Sequence, residues 1–137
     1  MSPELLLRIA SVAMLLHVLG HVSGHLRWKK TKDPAKQEAI NRMTQQKFPF
    51  MGTRRSLGEF YDGYGYAATL AMLFVCILLW SLSGQTLANP NFTRGLLPLV
   101  SVFLLAWGID EVFFFFPFAA FFSLFAALLS AIAFFAI

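Results

Sequence analysis

The sequence predicts an all-α fold, an integral membrane bundle of four helices with a short amphipathic helix at the membrane surface. Three observations predict it. Apolar runs of about 20 residues recur along the chain, the length a helix needs to cross a hydrocarbon core about 30 Å thick. Only 13% of the 137 residues are charged and 58% are hydrophobic, whereas about 25% charged residues is usual for a soluble domain. Nine of the eleven Lys and Arg lie between Arg27 and Arg55, in one polar stretch between the first two apolar runs. Residues 1–137 are therefore expected to form a single transmembrane domain.

The first span is read over residues 4–26. Glu4 offsets Arg8 at its start, so a retained helix is expected rather than a cleaved leader. In the loop over 27–56, Asp33-Pro34 has the form of an N-cap followed by proline at the first helical position. Ala35, Ala39, Ile40 and Met43 then repeat at three- and four-residue spacing, which predicts an amphipathic helix on the membrane surface. Phe48, Phe50 and Met51, around Pro49, extend that interfacial anchor. The second span, over 57–82, opens on Ser56-Leu57-Gly58-Glu59, the spacing of a capping box.

A polar turn, SGQTLANPN, leads to Thr93, the expected N-cap of a third span over 94–115. From Gly95 to Ile137 no polar connector interrupts the chain. One helix over that stretch would be about 64 Å long at 1.5 Å per residue, twice the core thickness. The chain must turn back, and Pro117 suits the first turn of a fourth helix over 117–137.

The basic loop is first a topology signal. The positive-inside rule predicts residues 27–56 on the cytoplasmic side of an inner membrane, with both termini outside. The same cluster suits anionic lipid headgroups, and its position beside the spans argues against nucleic acid. Cys76, the single cysteine, lies within an apolar span, so no internal disulfide can form.

Antiparallel spans bring the cytoplasmic ends of spans one, two and three together. Those ends carry His17, His21 and His25; Glu59, Asp62, Tyr64 and Tyr66; and Trp107, Asp110 and Glu111. At 100° per residue the three histidines drift through only about 80°, and Gly20 and Gly24, with Ala10, Ala13 and Met14 toward the other leaflet, extend their side as a small-residue stripe suited to close helix packing. Asp62 and Tyr66 are i and i+4 neighbours, and Glu111 lies over Trp107 and Gly108. Asp110 points about 100° away from Glu111, so only one of the two need face inward, and Glu111 is favoured. His25, beside Arg27 and Trp28, reads as an interfacial residue. A carboxylate at membrane depth costs at least a few kcal/mol, so it is paired or functional. The expected arrangement is a polar pocket opening toward the cytoplasmic leaflet.

Three uses of that pocket follow. Carboxyl and imidazole groups withdrawn from water move toward neutral titration, where proton transfer is efficient. Glu111 and Asp62 as acid and base, with His21 and His17 as proton partners, would suit cofactor-free isomerase- or cyclase-type chemistry on a lipid or sterol-like apolar molecule. Tyr66, Trp107, Glu59 and Asp110 would then contact that substrate. Alternatively His17 and His21, at i and i+4, would hold a metal ion or haem, although neither H-E-x-x-H nor CxxCH is present. The third use is structural: the network fixes helix register in a homo-oligomer or in an accessory subunit of a larger membrane complex.

Two stretches carry resemblances. With KFPFMGTRRS and GEFYDGYGY, the chain resembles small uncharacterised four-helix membrane proteins of bacteria, which implies a fold and no activity. The segment Glu111-Val-Phe-Phe-Phe-Phe-Pro117-Phe118 is similar to the glutamate-then-Pro-Phe pattern of the sterol-isomerase and sigma-2-receptor group. That resemblance implies an intramembrane sterol pocket lined by acidic residues, and only Glu111 maps onto it directly.

Overall fold

A computed structural model describes residues 1–137 and is all-α, with 80% of the chain in five helices. In order these are α1 (Pro3–His25), α2 (Pro34–Gln45), α3 (Leu57–Gln85), α4 (Pro90–Phe114) and α5 (Pro117–Ala136). A two-stranded antiparallel hairpin, β1 (Lys47–Phe50) and β2 (Thr53–Ser56), stands between α2 and α3. Helices α1, α3, α4 and α5 are each long and apolar enough to cross a membrane. The chain divides into two compact units, Met1–Leu19 with Ala71–Ile137, and Gly20–Leu70.

In the larger unit every contributing helix buries one stripe. On α4 the stripe is Thr93, Leu97, Val100, Leu104, Gly108 and Glu111, spaced by three and four residues as one helical face requires. Against it α5 sets mostly small residues, Ala119, Ala120, Ser123, Ala126, Ala127, Ser130 and Ala133, so the two backbones approach closely. Gly108 marks the tightest point. A Cβ there would stand 2.6 Å from Leu124 Cδ2 and 3.2 Å from the Leu124 backbone nitrogen. Leu7, Ala10, Met14 and Val18 of α1 and Met72, Leu79 and Leu82 of α3 complete the core. Ser11 Oγ donates to the Cys76 carbonyl at 2.8 Å while the Cys76 thiol donates to the Ser11 carbonyl at 3.3 Å, so Cys76 is a packed thiol with a reciprocal partner.

The outward faces are as apolar as the core. Leu16, Leu19, Phe74, Ile77, Leu99, Val102, Phe121 and Phe135 are all exposed. A soluble monomer rarely presents such continuous apolar surface, whereas a lipid surround removes its cost.

In the smaller unit Asp33 caps α2, accepting from the backbone nitrogens of Ala35 and Lys36. Ile40 is buried, Met43 half-buried and Ala35 and Ala39 exposed. Gly58, at the start of α3, lies under Thr44, whose methyl would be 2.7 Å from an added Cβ.

Local details depart from the sequence reading. Thr93 does not cap the third span; Asn89 holds the N-cap position, without a side-chain cap bond, and Pro90 the first helical position, because proline's fixed φ starts the helix earlier. Thr93 is wholly buried in the α4 stripe instead. The second span runs on to Gln85. Gly20 and Gly24 are exposed, with nothing within 4 Å of an added Cβ, so that end of the small-residue stripe is not a packing face, whereas Ala10, Ala13 and Met14 are buried; close approach of glycine backbone occurs at Gly58, Gly65 and Gly108. The segment around Pro49 is a hairpin, turning at Met51 (φ 45°) and Gly52 (φ 83°), the sign pattern of a type I′ turn. The reversal expected at Pro117 is where α5 begins.

Candidate functional site

The most deeply buried carboxylate of the chain is Glu111. It occupies the inward stripe of α4 and is 5% exposed, while Asp110, one residue away, is exposed. Trp107, one turn earlier, donates its indole N–H to Glu111 Oε1 at 3.0 Å. From α1, His17 Nε2 lies 3.0 Å from the same oxygen. From α5, Ser123 Oγ donates to Glu111 Oε2 at 2.7 Å and stands 3.3 Å from His17 Nδ1. Phe122 stacks on the imidazole at 5.9 Å between centroids. Three helices thus meet at one carboxylate.

One placement of the protons satisfies every group in the cluster. With hydrogens on both ring nitrogens, Nε2–H donates to Glu111, Nδ1–H to Ser123 Oγ, and the serine hydroxyl to the second carboxylate oxygen. Every donor then has an acceptor. In that arrangement no polar atom of the cluster is left without a partner, which is the condition under which such groups persist in an apolar interior.

The other polar residues belong to the smaller unit. Asp62 accepts from Trp28 Nε1 at 2.8 Å and from Lys29 Nζ at 2.6 Å, and Tyr61 packs on Trp28 at 4.5 Å. Glu59 closes the expected capping box: Ser56 Oγ accepts from the Glu59 backbone nitrogen at 3.1 Å, and Glu59 Oε2 accepts from that of Ser56 at 2.7 Å. Arg55 and Lys47 also reach Glu59 Oε1, at 3.2 and 3.8 Å. His21 Nε2 is 3.0 Å from the Gly65 carbonyl oxygen.

His25, read as an interfacial residue, is packed within the protein. It is 8% exposed, lies edge-on to Tyr66 at 5.0 Å, and its ring fills the space a side chain on Gly65 would need. Its Nε2 has no hydrogen-bond partner. An open concavity of about 640 Å³ is lined by Arg55, Glu59, Asp62, Tyr64 and Tyr66 among others.

The expected residues therefore separate into two sets. His17, Trp107 and Glu111 share one buried cluster. His21, Glu59, Asp62 and Tyr66 lie in the other unit, three of them around the concavity. The candidate ion ligands His17 and His21 have other partners, and no three His, Cys, Asp or Glu side chains come together to hold a metal. Sequence reasoning missed Ser123, Trp28 and Lys29. A lone serine in a phenylalanine-rich helix was the available signal for the first; nothing tied the other two to Asp62.

Comparison with protein-family models, with curated proteins and with solved structures finds no match to this chain.

Proposed function

We propose that this chain is a multi-pass membrane protein acting as a non-enzymatic subunit or scaffold, with His17–Glu111 as the clamp that sets its helix register. One observation carries the reading: Glu111 and His17 are each 5% exposed, and both carboxylate oxygens and both ring nitrogens are engaged within the chain. A general acid or base needs its proton-transfer atom within reach of a substrate, and here those atoms face one another. The exposed Phe- and Leu-rich helix faces supply the surface for lateral association with lipid, another copy or another membrane chain.

The test separates clamp from catalyst. Replacing the cluster by an apolar set, His17→Leu, Glu111→Leu, Ser123→Ala and Trp107→Phe together, is expected to preserve folding, because well-packed apolar groups commonly substitute for a buried pair. Native mass spectrometry of the detergent-extracted protein should find the same defined-stoichiometry assembly in both forms. If the wild type carries a stoichiometric small molecule that the folded replacement loses, the scaffold reading fails and acid–base chemistry takes its place.

The concavity favours a second reading, binding of a lipid or sterol-like molecule whose polar end meets Asp62 and Tyr66. The same spectrum tests it: Tyr66→Ala would shed that molecule while the cluster replacement kept it.

A further inference from the structure

We propose that the hairpin Lys47–Ser56, with the free cations of its unit, binds the headgroup of an anionic phospholipid. The inference rests on the membrane-spanning reading alone and stands apart from the clamp. It starts from charge. Residues 27–55 hold nine cations, and the nearby acids are committed: Asp62 to Lys29, Glu38 to Arg42, Glu59 to Arg55 and Lys47, and Asp33 to the α2 cap. Arg27, Lys30, Lys32, Lys36 and Arg54 are exposed and have no carboxylate partner. A surface with spent anions and spare cations recruits anions from outside the chain.

The hairpin gives that charge a direction. Its register puts Phe48 opposite Arg55 and Phe50 opposite Thr53, with Pro49 opposite Arg54. Residues facing each other across the ladder share a sheet face, so each face of the hairpin pairs a cation with apolar surface. At the tip Met51 is 92% exposed, and Phe48 and Phe50 are about half exposed. Burying that apolar tip at the acyl boundary would leave the arginines at the depth of the phosphates.

The hairpin is also held. Phe50 packs edge-on to Phe60 at 5.2 Å, and β2 runs directly into α3 through the Ser56–Glu59 box. The finger therefore sits at the mouth of an apolar span, where headgroups lie. Arg54 Nη2 donates to the Lys47 carbonyl at 3.4 Å, which orients the guanidinium and leaves its remaining N–H groups for the oxygens of one phosphate.

The experiment titrates the full chain in neutral detergent with phosphatidylglycerol, with phosphatidylcholine and with inorganic phosphate, counting retained molecules by native mass spectrometry. Phosphatidylglycerol should be retained over phosphatidylcholine, less so as salt is raised. Arg54→Gln should weaken retention about fivefold, the ratio expected for one surface cation, and Arg54→Lys by less. Met51→Ser should also weaken it, whereas Arg94→Gln, outside this unit, should not. Thermal unfolding confirms that the variants fold. Equal retention of the two lipids, or an unchanged Arg54→Gln, overturns the proposal. Displacement by inorganic phosphate alone overturns its lipid part in favour of a free-phosphate site.

Discussion

His17 Nε2 lies 3.0 Å from Glu111 Oε1, tying α1 to α4 across 94 positions of sequence, with both side chains buried. Loss of one partner strands the other. Glu111→Ala or His17→Ala is expected to cost about 3–5 kcal/mol, and the double variant should cost less than the sum of the two. Unfolding in bicelles for the full double-mutant cycle measures this. Strict additivity would show that the two side chains do not interact.

Ser123 supplies the second carboxylate oxygen with a donor at 2.7 Å. Ser123→Ala should therefore destabilise by about 1–3 kcal/mol, the cost of an unsatisfied buried acceptor. Ser130, whose hydroxyl donates only to the Ala126 carbonyl of its own helix, should tolerate alanine better. The ranking of the two melting temperatures decides the matter, and a reversed order would contradict the assignment.

Glycines in this chain are not equivalent. Gly108→Ala forces a methyl into Leu124 and toward its backbone nitrogen, so the α4–α5 contact should loosen by about 1–3 kcal/mol. Gly20→Ala and Gly24→Ala meet open space and should be neutral or stabilising by up to about 1 kcal/mol, alanine being the better helix former. Comparable losses at all three positions would mean that the glycine end of the α1 stripe packs after all.

The Ser56–Glu59 box should be worth about 1 kcal/mol at the start of α3, as N-caps generally are. Ser56→Ala should raise amide exchange in the first turn of α3 and leave the α4–α5 amides unaffected. Uniform exchange changes across both units would argue against a local cap.

Trp28 reports on Asp62 directly, since its indole N–H donates to that carboxylate at 2.8 Å. Asp62→Leu should change the Trp28 contribution to fluorescence, measured in a background with Trp80 and Trp107 replaced by Phe. The half-exposed Lys29–Asp62 pair should add at most about 1 kcal/mol to stability and weaken with salt.

Much of this architecture was legible in residues 1–137 alone. The four long helices, the reversal at Pro117, the Asp33 cap and the Ser56–Glu59 box all depend on residues contiguous in the chain, and the sequence displays them. The hairpin was hidden because KFPFMGTR lacks an Asn-Gly or Asp-Gly turn signal and carries proline within its first strand. Thr93 misled because a good cap residue three positions later is weaker than Pro90 already in place. The choice of Glu111 over Asp110 followed from the face it shares with Trp107 and Gly108.

By itself the sequence determined which segments are apolar enough to span a membrane, because transfer from water sums over some 20 neighbouring residues and needs no partner. Only the tertiary structure decided that Glu111 takes His17 and Ser123, that Asp62 takes Trp28 and Lys29, and that His21 rests on the Gly65 carbonyl. Those pairings depend on how each helix is turned about its own axis. At 100° per residue, a rotation by a single position replaces the group that faces inward, and only the packing of neighbouring side chains sets that rotation.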